Sequence, residues 1–399
     1  MDKLILVTGA TGYIASRLIP RLLDSGYRVR ALARDPLRLK TRTWFNKIDI
    51  VEADVSSPST LTHAFDGVHT AYYLIHNMSQ GHGYTSLELD AARNFAKAAE
   101  QAGVEHIIYL GGLADPEQHI APHMRSRIET GRVLREGKVP VTEFRAGVIA
   151  GSGSISFEMI RFMTELFPIV PGPLWMRNKS QPIAIQNVID YLIAALTNSD
   201  GQDGVFEIGG PDIYMYGDLM LRYARARGLN RRLLRLPGIP VWFMAFGVGL
   251  MTPVPYLIAH ALIEGLSADS IVQHPEALTV FPEVKLIDFD TGTKDALEKT
   301  HPDHIERVWD EDKSQFIKHE GCFILHTNSP LPLGRVPDRV EDARVRENRN
   351  SFLGTLWLEQ NHTSQTLYFS PRGLLGFLYW YITFPFRLFW FRGLIGYSK

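Results

Sequence analysis

Two side chains able to do acid–base or charge chemistry stand four residues apart in "HMRSRIETGRVLREG" (residues 123–137): His123 and Arg127. Histidine, with an ordinary pKa of about 6.5, can donate or accept a proton near neutral pH. Arginine keeps its charge and lowers the pKa of an imidazole beside it. On a helix, positions i and i+4 share a face, so the pair could give a proton to a substrate oxygen. The same residues would serve as a first helical turn with surface or cofactor-phosphate contacts, and the residues alone leave both readings open.

Such a pair needs a frame, and "KLILVTGATGYIASRLIPRLLDSGYRVRALARD" (residues 3–35) supplies one. Leu4–Val7 is a continuous apolar run, as expected of a parallel strand buried on both faces. Gly9 and Gly12 follow, then a helix with Ile14, Leu18, Leu22 and Leu23 at helical spacing. Gly26 ends it, and Tyr27 to Ala33 gives the next strand. Gly9 permits a tight turn, and Gly12 lets the backbone approach a pyrophosphate at the helix N-terminus. Ala15 stands at the third position of the fingerprint, a tolerated change. A glycine loop inside a complete βαβ unit is a strong signal for a dinucleotide. Thr8, Gly9, Thr11, Gly12, Tyr13 and Ile14 are the candidate binding residues.

The end of the second strand discriminates between cofactors. An acidic residue there binds the ribose hydroxyls of NAD, and an arginine accommodates the 2′-phosphate of NADP. The sequence reads "ALARDP", with Arg34 first in line, Asp35 behind it and Arg30 expected nearby. NADP is favoured, with NAD the alternative. In "AYYLIHNMSQGHGY" (residues 71–84), Tyr73, Leu74, His76 and Asn77 are candidates for the nicotinamide side of the cleft. His69, His76 and His82 lack the spacing of a metal set on one element and read as loop histidines.

"TGATGYIA", "EADV", "IIYLGGL" and "FRAGVIAGSGS", in this order, resemble the short-chain dehydrogenase/reductase superfamily, and specifically its atypical, NmrA-like branch. The resemblance implies that Asp54 and Val55 contact the adenine. It also implies a Ser–Tyr–Lys catalytic set, and this chain departs from it at every position. The Ser falls at Gly111 or Gly112, the Tyr becomes His123 and the Lys becomes Arg127. Gly111 stays a candidate on the cofactor side, and His123 with Arg127 become the candidate catalytic pair. "QPIAIQNVIDYL", "FEIGGPDIYMYGDLM" and "FSPRGLLGFLYWYITFPFRLFWFRGLI" are similar to a bacterial subgroup whose Rossmann part precedes a START-like domain.

The implied fold is α/β, a doubly wound Rossmann parallel sheet with helical substrate-side insertions, followed by a smaller α+β C-terminal region. The expected divisions are 1–235, 236–275 and 276–399. After Gly151 apolar helices separated by Pro and Gly replace strand–helix alternation, and "SISFEMIRFMTELFPIVPGPLW" (residues 154–175) is rich in apolar, aromatic and methionine side chains. That aggregate points to a hydrophobic small molecule or lipid rather than a sugar nucleotide. Residues 237–263 carry no Asp, Glu, Lys or Arg, long enough to span a bilayer. Pro240, Pro253 and Pro255, with Gly247 and Gly249, would interrupt a straight helix. That stretch reads as a buried helix pair or a membrane-contacting element, and the aromatic residues 371–397 as a packed helix or an amphipathic surface helix. Residues 266–345 are polar, "DARVRENRN" (342–350) reads as solvated, and 352–360 and 364–371 alternate like an antiparallel pair with "NHT" as the turn.

A net charge of −1 leaves no basic excess for nucleic acid. One cysteine, Cys322, allows no internal disulfide, which fits a reducing, cytoplasmic location. Two functional readings follow. One is an NADP-dependent reductase passing hydride to a quinone, enone or isoprenoid-like acceptor. The other is a non-catalytic NADP(H) sensor or scaffold subunit of a larger, membrane-bound or soluble, complex.

Overall fold

The computed structural model describes residues 3–40, 42–76, 84–251, 256–299, 316–319, 322–327, 345–360 and 365–395. The candidates Asn77 and His82, two of the prolines (Pro253 and Pro255) and the "NHT" turn lie outside them.

The chain alternates strand and helix from its start. The elements are β1 (Leu4–Val7), α1 (Tyr13–Asp24), β2 (Arg28–Ala33), β3 (Asp49–Glu52), α2 (Pro58–Ala64) and β4 (Val68–Tyr73). Then come α3 (Tyr84–Gln101), β5 (His106–Gly112), α4 (Pro122–Arg135) and β6 (Val141–Ala146). With the strand Gly204–Ile208 they form a seven-stranded sheet in the order Gly204–Ile208, β6, β5, β4, β1, β2, β3. Every pairing in it is parallel. The expected doubly wound sheet is present.

Alternate residues of β1 feed opposite cores. Ile5 and Val7 pack with Leu18 and Ile19 of α1, and Leu4 and Leu6 with Leu61, Phe95 and Leu134 of α2, α3 and α4. Each fully buried side chain of this size contributes about 1.5–3 kcal/mol over leaving it in water. The strand order reverses between β1 and β4, and the crevice beyond the strand ends at that point is where doubly wound folds take ligands.

Next come α5 (Ile155–Leu166) and α6 (Ile185–Ala194), the latter packing with α1 in the sheet core. The substrate side is built by α5, α7 (Tyr216–Arg227), α8 (Val241–Met251) and α9 (Tyr256–Gly265). Residues 237–263 are thus a helical pair rather than one rod. Gly247 and Gly249 do not interrupt α8. A Cβ on Gly249 would come 3.3 Å from Tyr256 Cα, so that glycine lets α9 approach closely. No helix among the described residues is long and apolar enough to cross a membrane.

The C-terminal region is a five-stranded antiparallel sheet in the order Phe316–His319, Cys322–Thr327, Gln365–Pro371, Gly354–Gln360, Val345–Ser351. The helix Gly373–Ile395 packs on it, with the Trp380 ring stacked 4.9 Å from Phe323 and 5.4 Å from Phe369. The expected strand pair is there, with Leu356 opposite Phe369. Val345–Ser351, read as solvated, is the edge strand of this sheet. Its polar sequence suits an edge, where charges blunt further pairing, and so hides it from hydrophobic pattern reading.

Residues 276–298, assigned from the sequence to the C-terminal region, pack into the first body instead. Phe281 is fully buried against Phe144, Tyr191 and Phe206, and Arg222 pairs with Asp290 at 2.6 Å. The C-terminal region meets α5 through Phe162 and Leu166 and through Glu165. That buried carboxylate accepts from Tyr223 Oη at 3.0 Å, Arg227 Nε at 2.9 Å and the Gly373 amide at 2.6 Å.

Candidate functional site

The glycine loop is held from beneath by Thr8. Its hydroxyl donates to the Tyr72 carbonyl at 3.0 Å and accepts from the Leu74 amide at 3.0 Å, tying β1 to the end of β4. Gly9 has φ +65°, and a Cβ there would lie 2.6 Å from the Leu74 carbonyl oxygen, so both conformation and space demand glycine. Gly12 donates to the Gly9 carbonyl at 2.7 Å and caps α1. The first amides of a helix have no partner within the helix itself, and the start of α1 beside Gly12 is therefore a place suited to a pyrophosphate.

Beyond the loop opens a cavity of about 440 Å³ at the switch point. Gly9, Gly12, Tyr13, Ile14, Leu74 and Gly111 of the predicted cofactor set line it, and so do His76, His123 and Arg127. Four other candidates lie at the loop's periphery or on neighbouring strand ends: Thr11, Arg34, Asp54 and Val55. Arg34 is exposed at the end of β2. Behind it, the Asp35 carboxylate accepts from the Leu37 amide at 3.1 Å and caps a short turn. Asp54 accepts from the Ser56 amide at 2.9 Å, and Val55 is buried.

Two expectations fail. Arg30 turns away to Asp49 (3.0 Å) and the Asp66 carbonyl (2.7 Å). Tyr73, expected in the cleft, is buried in the core on the other face, its ring 4.9 Å from Phe95 and 6.0 Å from Tyr109. Strand alternation sends Tyr73 and Leu74 to opposite faces; in a sheet buried on both sides, composition does not say which faces which.

The two predicted catalytic residues meet a third. His76, at the end of β4, joins His123 and Arg127 of α4. Burial, and secondarily Arg127, holds the His123 imidazole down at about 3. Burial, then Arg127, then His123 hold His76 well below the usual range. At neutral pH the site therefore presents one fixed cation and two neutral imidazoles. His123 Nδ1 is buried without a hydrogen-bond partner among the described residues, a state costing about 1–3 kcal/mol. His69, the third histidine of the sequence cluster, lies apart, bonded to Thr70 at 2.8 Å and Glu105 at 3.2 Å. No group of metal-ligating side chains exists among the described residues.

The glycines standing at the superfamily's serine position have a packing reason. A Cβ on Gly112 would come 2.7 Å from Met124 Cε and 3.0 Å from Arg127 Cδ. A serine there would require the Met124 and Arg127 side chains of α4 to shift. Gly265 of α9 plays the same part for the imidazole, since a Cβ there would sit 2.9 Å from His123 Cε1.

The rest of the wall is apolar and adaptable, with Met124, Met159, Met163, Met176, Met220 and Met244 together with Trp175, Ile258 and Leu262. Methionine fits irregular ligands because its thioether is flexible and polarizable. Tyr216, Asp269 and Ser270 also line it, and none was singled out from sequence. Burial pushes the Tyr216 phenol up to about 12, so it stays protonated at neutral pH. Asp269 accepts from the Lys179 amide at 2.7 Å, and Ser270 donates to the Leu113 carbonyl at 2.8 Å. Their only sequence signal was the small polar cluster "SADS" after α9.

Residues 1–166 match the NmrA-like family. The fold is Rossmann-like α/β, as in solved epimerase and reductase structures. The (4-alkanoyl-5-oxo-2,5-dihydrofuran-3-yl)methyl phosphate reductase of Streptomyces griseus is 28% identical over 281 residues, 65% of this chain and 85% of that protein. The photosystem II assembly factor Ycf39 of Cyanophora paradoxa is 24% identical over 240 residues, 58% of this chain and 71% of that protein. Among solved structures, Citrobacter sp. triphenylmethane reductase complexed with NADP(H) aligns with a TM-score of 0.57 at 19% identity, covering 73% of this chain and 98% of that one. At that identity the likeness is one of fold.

Proposed function

We propose that this protein is a cytoplasmic NADP(H)-dependent reductase of a hydrophobic, conjugated acceptor such as a quinone, an enone or an isoprenoid-like carbonyl. The observation that carries the reading is the continuity of the glycine loop with a methionine-lined cavity holding His76, His123 and Arg127. Arg34, beside an Asp35 already engaged as a cap, supports the 2′-phosphate of NADP over NAD. The names of the Streptomyces reductase and of the NADP(H)-bound Citrobacter enzyme point the same way.

Bound NADPH would supply the hydride. As the acceptor is reduced, negative charge collects on its oxygen, and the Arg127 guanidinium is the fixed charge able to stabilise it. A neutral imidazole N–H of His123 or His76 can donate a hydrogen bond to that oxygen, in the way a histidine of lowered pKa polarises a carbonyl. Neither is an imidazolium at neutral pH, so the final proton comes from water. This suits acceptors whose reduced oxygen is a stabilised enolate or phenolate, and it disfavours simple ketones. The methionine wall takes the apolar body of the substrate.

The C-terminal sheet with its long helix supports a START-like architecture, although its inner face is filled by Phe323, Phe369 and Trp380. A non-catalytic sensor or scaffold, the role suggested by the assembly-factor relative, would need neither the buried His123 imidazole nor the apolar cavity. The deciding experiment is NADPH oxidation with a panel of quinones, enones and saturated ketones, using the chain and His123→Phe. Turnover of quinones or enones that falls at least about tenfold in the variant, with NADPH affinity kept, is expected. No turnover with any acceptor would sink the reading.

A further inference from the structure

The pair α8 and α9 does more than wall the cavity. Ala245 and Val248 are buried, and Met244 and Val248 line the cavity. The opposite side of α8 carries Trp242, Phe243 and Phe246, at i, i+1 and i+4, each more than half exposed. Tyr256 and Leu257 at the start of α9 and Leu234 in the strand before α8 are exposed too. Single exposed apolar residues are ordinary, but large ones grouped on consecutive elements mark a contact surface. The C-terminal helix also exposes apolar side chains, yet its inner face closes the sheet core rather than the cavity.

Charge indicates what covers this patch. Residues 219–263 contain six arginines and no Asp or Glu, within a chain of net charge −1. Arg222, Arg227 and Arg231 are engaged by Asp290, Glu165 and the Thr164 carbonyl. Arg225, Arg232 and Arg235 are exposed. Arg232 and Arg235 flank the exposed Leu234 in the strand that leads into α8, and a Trp- and Tyr-bearing apolar surface with such cations matches the interface of a bilayer containing anionic phospholipid.

We propose that the α8–α9 pair docks the protein on an anionic phospholipid surface. Resting on the reductase reading, the same contact identifies the acceptor as a membrane-borne lipid, since the pair that docks also walls the cavity. Docking, not spanning, follows from the lengths of the helices.

The test is flotation of the full chain with phosphatidylcholine vesicles, alone or with about 30% phosphatidylglycerol. Binding to the anionic vesicles is expected. It should weaken at least about tenfold in Trp242→Ser/Phe246→Ser and about fivefold for each of Arg232→Gln and Arg235→Gln. An unchanged melting temperature and NADPH affinity confirm that the variants are folded. Absence of binding, binding that ignores these substitutions, or self-association that Trp242→Ser/Phe246→Ser abolishes without any vesicle binding would each overturn the proposal. Flotation needs no turnover, so a protein that docks but oxidises no NADPH refutes the reductase alone.

Discussion

Acidification should weaken this fold through its histidines of lowered pKa, His76, His106 and His123, and the share of His123 can be isolated. His123 is buried, and burial with the neighbouring Arg127 holds it at about 3, against about 6.5 in an unfolded chain. Below pH 6.5 the unfolded chain takes up a proton that the native site refuses. The native state is then penalised: stability is intact above pH 6.5 and lost as pH falls toward 3. At about 1.4 kcal/mol per unit, the loss from His123 is about 2 kcal/mol by pH 5 and about 4–5 kcal/mol at pH 3. Against a typical stability of about 5–15 kcal/mol, even the first figure is large. His123→Gln is neutral throughout this range. Urea unfolding followed by tryptophan fluorescence at pH 7.5, 6 and 5 gives the difference between the two proteins at each pH. The chain should lose about 2 kcal/mol more than the variant between pH 7.5 and 5. Parallel losses would mean that the native imidazole protonates normally, and the argument for a neutral hydrogen-bond donor would fall with it.

Gly9→Ala places a Cβ 2.6 Å from the Leu74 carbonyl at φ +65°; NADPH affinity, read by fluorescence titration, should fall more than about tenfold, with about 1–2 kcal/mol of stability lost. Arg34→Glu should reverse the preference between NADPH and NADH in the same titration, since it puts a carboxylate where the 2′-phosphate is expected. Glu165→Gln removes the carboxylate buried among Tyr223, Arg227 and the Gly373 amide. It should cost about 3–5 kcal/mol and make the C-terminal region the first part cut in limited proteolysis. Gly112→Ser should not restore the superfamily's chemistry; its Cβ would press on Met124 and Arg127 and cost about 1–3 kcal/mol in a melting experiment.

The βαβ unit from Leu4 to Ala33 was legible because its signals are local: a buried apolar run, a glycine turn, a 3.6-residue period and a terminating Gly26. The shared face of His123 and Arg127 was legible for the same reason, as helix geometry alone brings positions i and i+4 together. Sequence could not bring His76 to that pair, because β4 and α4 meet only once the sheet has assembled. Nor could it tell that His123 would be neutral, since an imidazole's pKa follows from how much water is excluded around it, and α9 with Gly265 does that from far along the chain. The strand Val345–Ser351 and the packing of Phe281 were hidden by polar composition. Tyr73 was misplaced because both faces of its strand are buried. Local order came from contacts within a few residues; the charge state of the site, its apolar walls and its exposed aromatic face came from burial, which belongs to the assembled fold.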